Sequence, residues 1–277
     1  MDESLLIAPF RLGIGEDKNI REVNNKSLDL KAYSRMKYGV RSDLKAFAND
    51  LATELLKEAP HLFQGKEPPA IVTSYKAAAP PATTLARYCL DSINLARFRA
   101  GLAPGEMVHA YRPQDYIEEY AVLSASERAK LIGRQTDNSL RGQRLDGFVP
   151  VVLDDIYVTG TYTKMMLQQV LKDYSGIVTV YLIVCDESLK TTPHIEGMLN
   201  TSEISRPSDL LPFIKSGDFV FTRRFLKMLL RTDPEELQQV TDQLPVNLSE
   251  EIARAIIDTD SELQYIFPDA CRILLRS

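Results

Sequence analysis

The chain is poor in cysteine and histidine, the residues that build zinc sites and disulfide frameworks. Its three cysteines, Cys89, Cys185 and Cys271, and its three histidines lie far apart in the sequence. This scatter argues against a disulfide framework and a zinc site and favours a reducing compartment. The chain also lacks a run of about 18 apolar residues and a charged-then-apolar leader pattern. We therefore expect a cytoplasmic protein without a membrane partner.

A broad excess of positive charge is also missing. The formal net charge is −5 over 277 residues, so we expect no nucleic-acid binding through phosphate contacts alone. With 44% hydrophobic and 26% charged residues, the composition is typical of a globular protein. The length allows one large domain, or a smaller domain with an appended part.

The most informative stretch is VPVVLDDIYVTGTYT, residues 149–163. An apolar run with strand character ends at Asp154 and Asp155, and a Thr-Gly-Thr turn at 159–161 then opens a predicted helix. The backbone N–H groups of such a turn bind phosphate. Carboxylates at a strand end accept hydrogen bonds from sugar hydroxyls or hold metal-bound waters. An ordinary strand-to-helix turn with aspartate caps is the alternative interpretation.

This stretch resembles the phosphoribosyl-pyrophosphate (PRPP) signature of type I phosphoribosyltransferases, in which a hydrophobic run, two acids and a Thr/Gly/Thr loop follow one another. The resemblance implies that Asp154 and Asp155 hold the ribose hydroxyls. It also implies that they contact Mg²⁺, mostly through PRPP and water. The remaining PRPP-binding residues that it implies, mainly for the 5′-phosphate, are Val158, Thr159, Gly160, Thr161 and Thr163.

A second segment, SYKAAAPP at residues 74–81, follows a predicted strand at 70–74. It resembles the pyrophosphate loop of the same family, most closely that of the orotate-using branch. The resemblance implies PRPP contacts from Tyr75, Lys76 and Ala77. Because a positioned ammonium stabilises the charge that develops on a leaving pyrophosphate, Lys76 joins the acid pair as a predicted catalytic residue. A solvated loop lysine is the alternative.

The third element of the family is a flexible loop that closes over PRPP and excludes water. The polar residues 112–146 occupy its place in the sequence. Lys130, Arg134 and Arg141 are the candidates to reach the pyrophosphate from this loop. A solvated basic helix face is the alternative for each of them.

Two features bear on the acceptor. Val158 stands where the 6-oxopurine branch has an aspartate base, and valine cannot take a proton. The usual purine-salvage mechanism is therefore disfavoured, whereas an anionic nucleobase or a small amine remains possible. The segment AYSRMKYGV, residues 32–40, either contacts the acceptor by stacking and anion binding or forms a surface turn.

The apolar pattern predicts alternating strands and helices. A further amphipathic helix is predicted over about 42–57, and residues 1–35 are expected to be irregular, with a turn at Gly13 and Gly15. The alternating elements are strands 70–74, 107–111, 149–154 and 177–185 and helices 82–99 and 161–173. This pattern predicts an α/β fold, with a parallel sheet and helices on both faces. Ligands bind at the carboxyl ends of such strands.

We predict a phosphoribosyltransferase-like core with an N-terminal extension over 1–205. Residues 206–277 are expected to form three helices that serve as a cap, an oligomer interface or a partner module. The predicted function is transfer of ribose 5-phosphate from Mg–PRPP to an unidentified nucleobase or amine, by a homodimer or other oligomer. The alternative is a non-catalytic PRPP or nucleotide sensor, or an accessory protein of a bacterial stress or defence system. A kinase is excluded because no Gly-rich Lys-Ser/Thr loop occurs.

Overall fold

A mostly parallel sheet lies at the centre of the fold. The computed structural model describes residues 6–15, 20–23, 26–74, 76–110, 140, 143–190, 194–258 and 262–276. The strands in these ranges are β1 Phe10–Ile14, β2 Ile20–Glu22, β3 Pro69–Ser74, β4 Glu106–Ala110, β5 Val149–Tyr157 and β6 Val178–Cys185. They lie in the order β2-β1-β6-β5-β3-β4, and only β1 and β2 pair antiparallel among them. The predicted α/β class and parallel core are confirmed.

Helices connect the strands and make up the C-terminal part of the chain. They are α1 Leu30–Tyr38, α2 Arg41–Glu58, α3 His61–Gln64, α4 Pro81–Arg99, α5 Thr161–Met165, α6 Glu187–Lys190, α7 Ile195–Asn200, α8 Leu211–Lys215, α9 Arg223–Arg231, α10 Pro234–Thr241, α11 Val246–Asp258, α12 Glu262–Ile266 and α13 Pro268–Leu274. Helix α5 continues into a π-helical turn at Met166–Val170, and a 3₁₀ turn at Pro207–Leu210 precedes α8.

The chain divides into two compact units. The first contains the sheet and comprises Met1–Leu28, Lys45–Tyr75 and Leu85–Gly197. The second is helical and comprises Asp29–Leu44, Lys76–Thr84 and Met198–Ser277. Each unit is thus assembled from three separate segments. The boundary between residues 205 and 206, which the sequence predicts, stays a prediction.

The central strands of the first unit contain buried apolar runs, as expected for strands covered on both faces. Ile71, Val72, Val151 and Val152 are fully buried. A core cluster joins strand residues to α5 and its π-helical turn; it comprises Ala70, Val72, Val108, Ala110, Leu145, Val152, Met165, Met166, Val170 and Leu171. This packing holds α5 against β5, the strand from which it continues.

Capped amphipathic helices build the second unit. Thr222 accepts a hydrogen bond from the Phe225 N–H at 3.3 Å and begins α9. Asp233 accepts one from the Glu236 N–H at 3.0 Å, and Pro234 follows as the first residue of α10. The apolar faces form one buried cluster, which includes Phe225, Leu226, Leu229, Leu237, Val240, Ile252, Ile256 and Leu274.

Two expectations about the ends of the chain are wrong. Residues 1–35 contain β1, β2 and the start of α1, and Gly13 lies in β1, where a Cβ would overlap the Asp186 carboxylate. The short apolar pattern of β1 does not by itself predict a strand. The strand forms because it pairs with the central strand β6. After residue 205 the described residues form six α-helices instead of three. Prolines in the first turns of α8, α10 and α13 begin new helices there.

The segment AYSRMKYGV is a buried helix and not a surface turn. Most of it lies in α1, where Tyr33 and Met36 are fully buried. The Asp29 side chain caps the helix by accepting a hydrogen bond from the Ala32 N–H at 3.0 Å. Gly39 ends it with φ 108°, a conformation that favours glycine. The surface-turn alternative is therefore wrong, while contact with an acceptor stays a prediction.

A buried arginine fastens two loops of the first unit. Arg97 in α4 is 0% exposed. Its Nε donates to the Ala103 carbonyl at 2.6 Å and its Nη1 to the Leu62 carbonyl at 2.9 Å. Burial lowers the pKa of Arg97 from its ordinary value. The guanidinium thus joins α3 and the α4–β4 connection to α4, because it donates a hydrogen bond to a carbonyl of each.

Replacing Arg97 by methionine keeps much of the apolar volume and removes both hydrogen bonds. We expect Arg97→Met to lower the free energy of unfolding by about 2–4 kcal/mol, since two hydrogen bonds to a charged group, roughly 1.5–3 kcal/mol each, are lost while part of the cost of burying the charge is relieved. Urea unfolding monitored by circular dichroism measures the loss. The control is Arg99→Met, because Arg99 lies exposed in the same helix. Equal losses in the two variants would contradict the fastening role of Arg97.

Candidate functional site

The strand order reverses between β3 and β5. From β3 the chain crosses to β4 on one side and then returns to β5 on the other side, with β6 beyond it. In open α/β sheets such a reversal leaves a crevice at the carboxyl ends of the two strands, and ligands bind there. One sequence motif, residues 149–163, contains β5, and the other, residues 74–81, begins where β3 ends. The first motif thus contains one of the strands that flank the reversal, and the second motif starts at the last residue of the other; its residues from Lys76 onward belong to the second unit.

The two flanking strands separate before they end. Their register pairs run from Pro69↔Val149 to Val72↔Val152. β5 continues to Tyr157 and remains paired with β6 as far as Tyr157↔Val184. The last five residues of β5 are thus supported from the β6 side alone among the described strands. This geometry opens the sheet at the level of the acid pair.

The acid pair lies inside β5 and not at its end. The sequence predicts that the strand stops at residue 154, whereas the pairs Asp154↔Tyr181 and Ile156↔Ile183 extend it. Because successive strand residues point to opposite faces of a sheet, the two carboxylates leave the strand in opposite directions. Asp155 is only 6% exposed and Asp154 is partly exposed. The Asp155 N–H donates to Asp154 Oδ1 at 2.9 Å. The two acids therefore have different surroundings.

A left-handed glycine forms the turn after β5. Gly160 has φ 67° and ψ 11°, and α5 begins at Thr161. The Thr159 and Thr161 hydroxyls, both partly exposed, are hydrogen-bonded at 2.9 Å. The Lys164 N–H donates to the Gly160 carbonyl at 2.9 Å and closes the first helical turn. The turn thus carries two neighbouring hydroxyls on a backbone that only glycine adopts without strain.

Thr163 and Val158 face the interior. Thr163 is fully buried, and its hydroxyl is hydrogen-bonded to the Tyr181 hydroxyl. Val158 is 8% exposed and offers no group that binds a proton. The phosphate contacts predicted for both residues stay predictions, and the exposed hydroxyls of the turn are those of Thr159 and Thr161.

The loop after β3 is anchored in the second unit. Ala78 is 1% exposed within the helical core cluster, and the Ala79 carbonyl accepts a hydrogen bond from the Arg223 N–H at 2.9 Å. Lys76 is partly exposed and Ala77 is exposed. The chain then enters α4, whose first turn includes a hydrogen bond from the Thr84 N–H to the Pro80 carbonyl at 3.2 Å.

A family model for PRTase ComF-like proteins, in which PRTase stands for phosphoribosyltransferase, matches residues 18–265. The chain belongs to the ComF-like phosphoribosyltransferase family. The match spans far more than the two motifs. It includes most of the helical tail and the N-terminal strand pair in part, neither of which the sequence motifs connect to a known protein.

No curated protein and no solved structure matches the chain. The family assignment therefore rests on the family model, and the residue roles rest on the motifs and on the geometry described above.

Some predicted site residues lie outside the described residues of this ComF-like protein. They are Tyr75 in the pyrophosphate segment and the loop candidates Lys130, Arg134 and Arg141. Their roles stay predictions.

Three residues near the sheet edge were not predicted to belong to a site. Tyr157 lies against Gly160 of the turn, and the rings of Tyr157 and Tyr181 meet edge to face with their centroids 5.1 Å apart. His109 on β4 lies beside Thr73 of β3, and the Thr73 hydroxyl and His109 Nδ1 are 3.4 Å apart. Burial, assisted by Arg87, lowers the pKa of His109. A tyrosine or histidine in an apolar strand gives no sequence signal, because its neighbours come from other strands.

Among the described residues, no group of three or more histidine, cysteine, aspartate or glutamate side chains is arranged to hold a metal ion. None of the described helices is both long enough and apolar enough to cross a membrane.

The turn glycine offers a direct test of this geometry. A Cβ at Gly160 would overlap the Tyr157 ring, whereas a Cβ at Gly176, also at φ 67°, would meet nothing within 4 Å. We expect Gly176→Ala to cost about 1–2 kcal/mol of unfolding free energy through its left-handed backbone alone. Gly160→Ala should cost roughly 1–3 kcal/mol more through the overlap. Urea unfolding of both variants measures the difference, and equal losses would show that the Tyr157 contact has no effect on stability.

Proposed function

We propose that this protein binds Mg–PRPP and transfers its ribose 5-phosphate to a nucleobase or amine, with release of pyrophosphate. One observation carries the proposal. In a member of the ComF-like phosphoribosyltransferase family, an acid pair inside β5 and a Thr-Gly-Thr turn after the same strand lie beside the reversal of strand order. That is the position where α/β sheets bind phosphorylated ligands.

The proposed roles follow from the chemistry of each group. Asp154 and Asp155 accept hydrogen bonds from the ribose hydroxyls, because ionised carboxylates are strong acceptors. The segment from Val158 to Thr163 receives the 5′-phosphate through backbone N–H groups and through the hydroxyls of Thr159 and Thr161. Each of these contacts orients the ribose, so that its anomeric carbon faces the acceptor.

The pyrophosphate is assigned to the segment after β3, with Tyr75, Lys76 and Ala77. As the bond from the anomeric carbon to the pyrophosphate oxygen breaks, the bonding electrons leave with pyrophosphate and its negative charge grows. A lysine ammonium and backbone N–H groups stabilise this charge more in the transition state than in the ground state. The acceptor nitrogen forms the new bond with its lone pair, and any proton it carries passes to solvent or to a nearby base.

The donor set fits Mg²⁺ as a partner of the ligand. Two adjacent carboxylates are typical of a site where Mg²⁺ keeps waters and takes other oxygens from phosphate groups. When bound, the ion neutralises charge on the pyrophosphate. Asp154 and Asp155 would hold it mostly through water.

Removing both carboxylates should abolish PRPP binding. We expect Asp154→Asn and Asp155→Asn each to weaken binding roughly tenfold or more, and the double variant to lose measurable binding, because each loses a charge-assisted hydrogen bond. Isothermal titration calorimetry with PRPP and Mg²⁺ measures the affinity. Asp173→Asn is the control, since Asp173 is an exposed carboxylate of the same unit.

Thermal unfolding of the same variants separates lost binding from lost folding, because Asp155 is buried. Absence of heat with the wild-type protein would contradict PRPP binding in any role.

A non-catalytic PRPP or nucleotide sensor, or an accessory protein of a stress or defence system, is the second candidate. The buried Val158 favours this second candidate. The 6-oxopurine branch of type I phosphoribosyltransferases has an aspartate base at this position, and valine cannot take a proton. A sensor needs the acid pair and the phosphate turn for binding, and it needs no group that assists an acceptor.

An assay of pyrophosphate release decides between the two candidates. We expect one member of a panel of nucleobases and small amines, added with Mg–PRPP, to drive release, and the Asp154→Asn/Asp155→Asn variant to abolish it. A panel that stays silent while calorimetry shows tight PRPP binding would contradict the transferase and favour the sensor.

A further inference from the structure

Two buried tyrosines contact the Thr-Gly-Thr turn at 159–161 and the first turn of α5, the helix that follows it. Tyr181 on β6 is paired in register with Asp154, and Tyr157 is the last residue of β5. They are 1% and 5% exposed, and both belong to a small buried cluster with Leu6, Ala8 and Val184. Neither side chain is available to touch a ligand, so any effect on binding has to pass through the residues that rest on them.

Tyr181 supports the helical side of the turn. Its hydroxyl is hydrogen-bonded to the buried hydroxyl of Thr163, which lies in the first turn of α5. Burial, with a smaller contribution from the Asp154 carboxylate, raises the pKa of Tyr181 well above its ordinary value. The phenol therefore stays neutral, and either of the two hydroxyls can donate the hydrogen bond between them.

Tyr157 supports the glycine side of the turn. Its ring lies so close to Gly160 that a Cβ there would overlap the phenol oxygen and its carbon. The ring also packs edge to face on Tyr181, with an interplanar angle of 73°. The two aromatic side chains thus contact both ends of the segment 160–163 and each other.

We propose that Tyr181 and Tyr157 are positioning residues that hold the Thr159–Thr161 turn in its phosphate-binding shape before the ligand arrives. This inference rests on the proposed function and adds a determinant of affinity for the 5′-phosphate. The turn is short and partly exposed, and its N–H groups bind one phosphate only if they converge. A turn already held in place loses less conformational entropy on binding.

The same inference gives Thr163 a role that differs from direct phosphate contact. Its buried hydroxyl connects the first turn of α5 to Tyr181 on β6. If Thr163 acts through Tyr181, removal of either hydroxyl should have the same effect, and removal of both should add nothing.

The test compares Tyr181→Phe, Thr163→Val and the double variant with the wild type. Calorimetry in Mg²⁺ uses two probes, ribose 5-phosphate, which carries the 5′-phosphate, and inorganic pyrophosphate, which does not. We expect each single variant to raise the Kd for ribose 5-phosphate about three- to tenfold, as for loss of one hydrogen bond. The double variant should match the singles, and the Kd for pyrophosphate should not change.

A matched control removes a buried hydroxyl that belongs to the second unit. The Thr241 hydroxyl donates to the Leu237 carbonyl at 2.5 Å within α10 of the second unit. Thr241→Val should lower the melting temperature without changing either Kd. Selective loss of ribose 5-phosphate affinity is therefore a readout that a general loss of stability does not produce.

Tyr157→Phe provides a second variant, which keeps the ring and removes only the hydroxyl beside Gly160. This variant keeps the inference testable if Tyr181→Phe does not fold. We expect it to raise the Kd for ribose 5-phosphate and to leave the Kd for pyrophosphate unchanged. Unchanged affinities in the folded tyrosine variants would overturn the inference and leave PRPP binding intact. A larger loss in Thr163→Val than in Tyr181→Phe would overturn it in favour of direct contact by Thr163. A wild type that binds neither PRPP nor ribose 5-phosphate would overturn the proposed function, and the inference with it.

Discussion

Unequal pairing on the two sides of β5 is the constraint on which the candidate site depends. The strand pairs with β3 only as far as Val152 but with β6 as far as Tyr157. A strand of an open parallel sheet would otherwise bury both of its edges in hydrogen bonds. The acid pair follows the last residue of β5 that pairs with β3, beside the reversal of strand order. The polar groups of β5 therefore lie near an opening, while pairing with β6 keeps this part of the strand in the sheet.

The surroundings of the turn explain why a glycine and several hydroxyl-bearing residues occur together. Gly160 is required twice, by its left-handed backbone and by the Tyr157 ring. The threonines divide by burial, because Thr159 and Thr161 are partly exposed whereas the Thr163 hydroxyl is bonded within the core. Residues of one type, two positions apart, thus have different physical roles, and the spacing of a motif does not reveal this division.

The family match and the two compact units both include residues far from the two sequence motifs. Sequence motifs connect only the middle of the chain to phosphoribosyltransferases, whereas the family model extends from residue 18 to 265. The helical unit includes segments from three parts of the sequence, among them α1 and the start of α4. Its helices are short and begin at prolines and capping residues. Apolar periodicity therefore predicts fewer helices than the described residues form.

The sequence by itself determined the α/β class, the positions of the central strands within a few residues and the two segments that resemble a PRPP site. Local chemistry suffices for this, since strand periodicity, acids and turn residues are all read within a dozen positions. Only the tertiary structure decided the strand order, the continuation of β5 beyond Asp154 and Asp155, the burial of α1 and the contacts of Tyr181. Each of these depends on pairing between residues distant in the chain, such as Asp154 and Tyr181. Such pairings arise from the packing of the whole sheet and leave no mark in the neighbouring sequence.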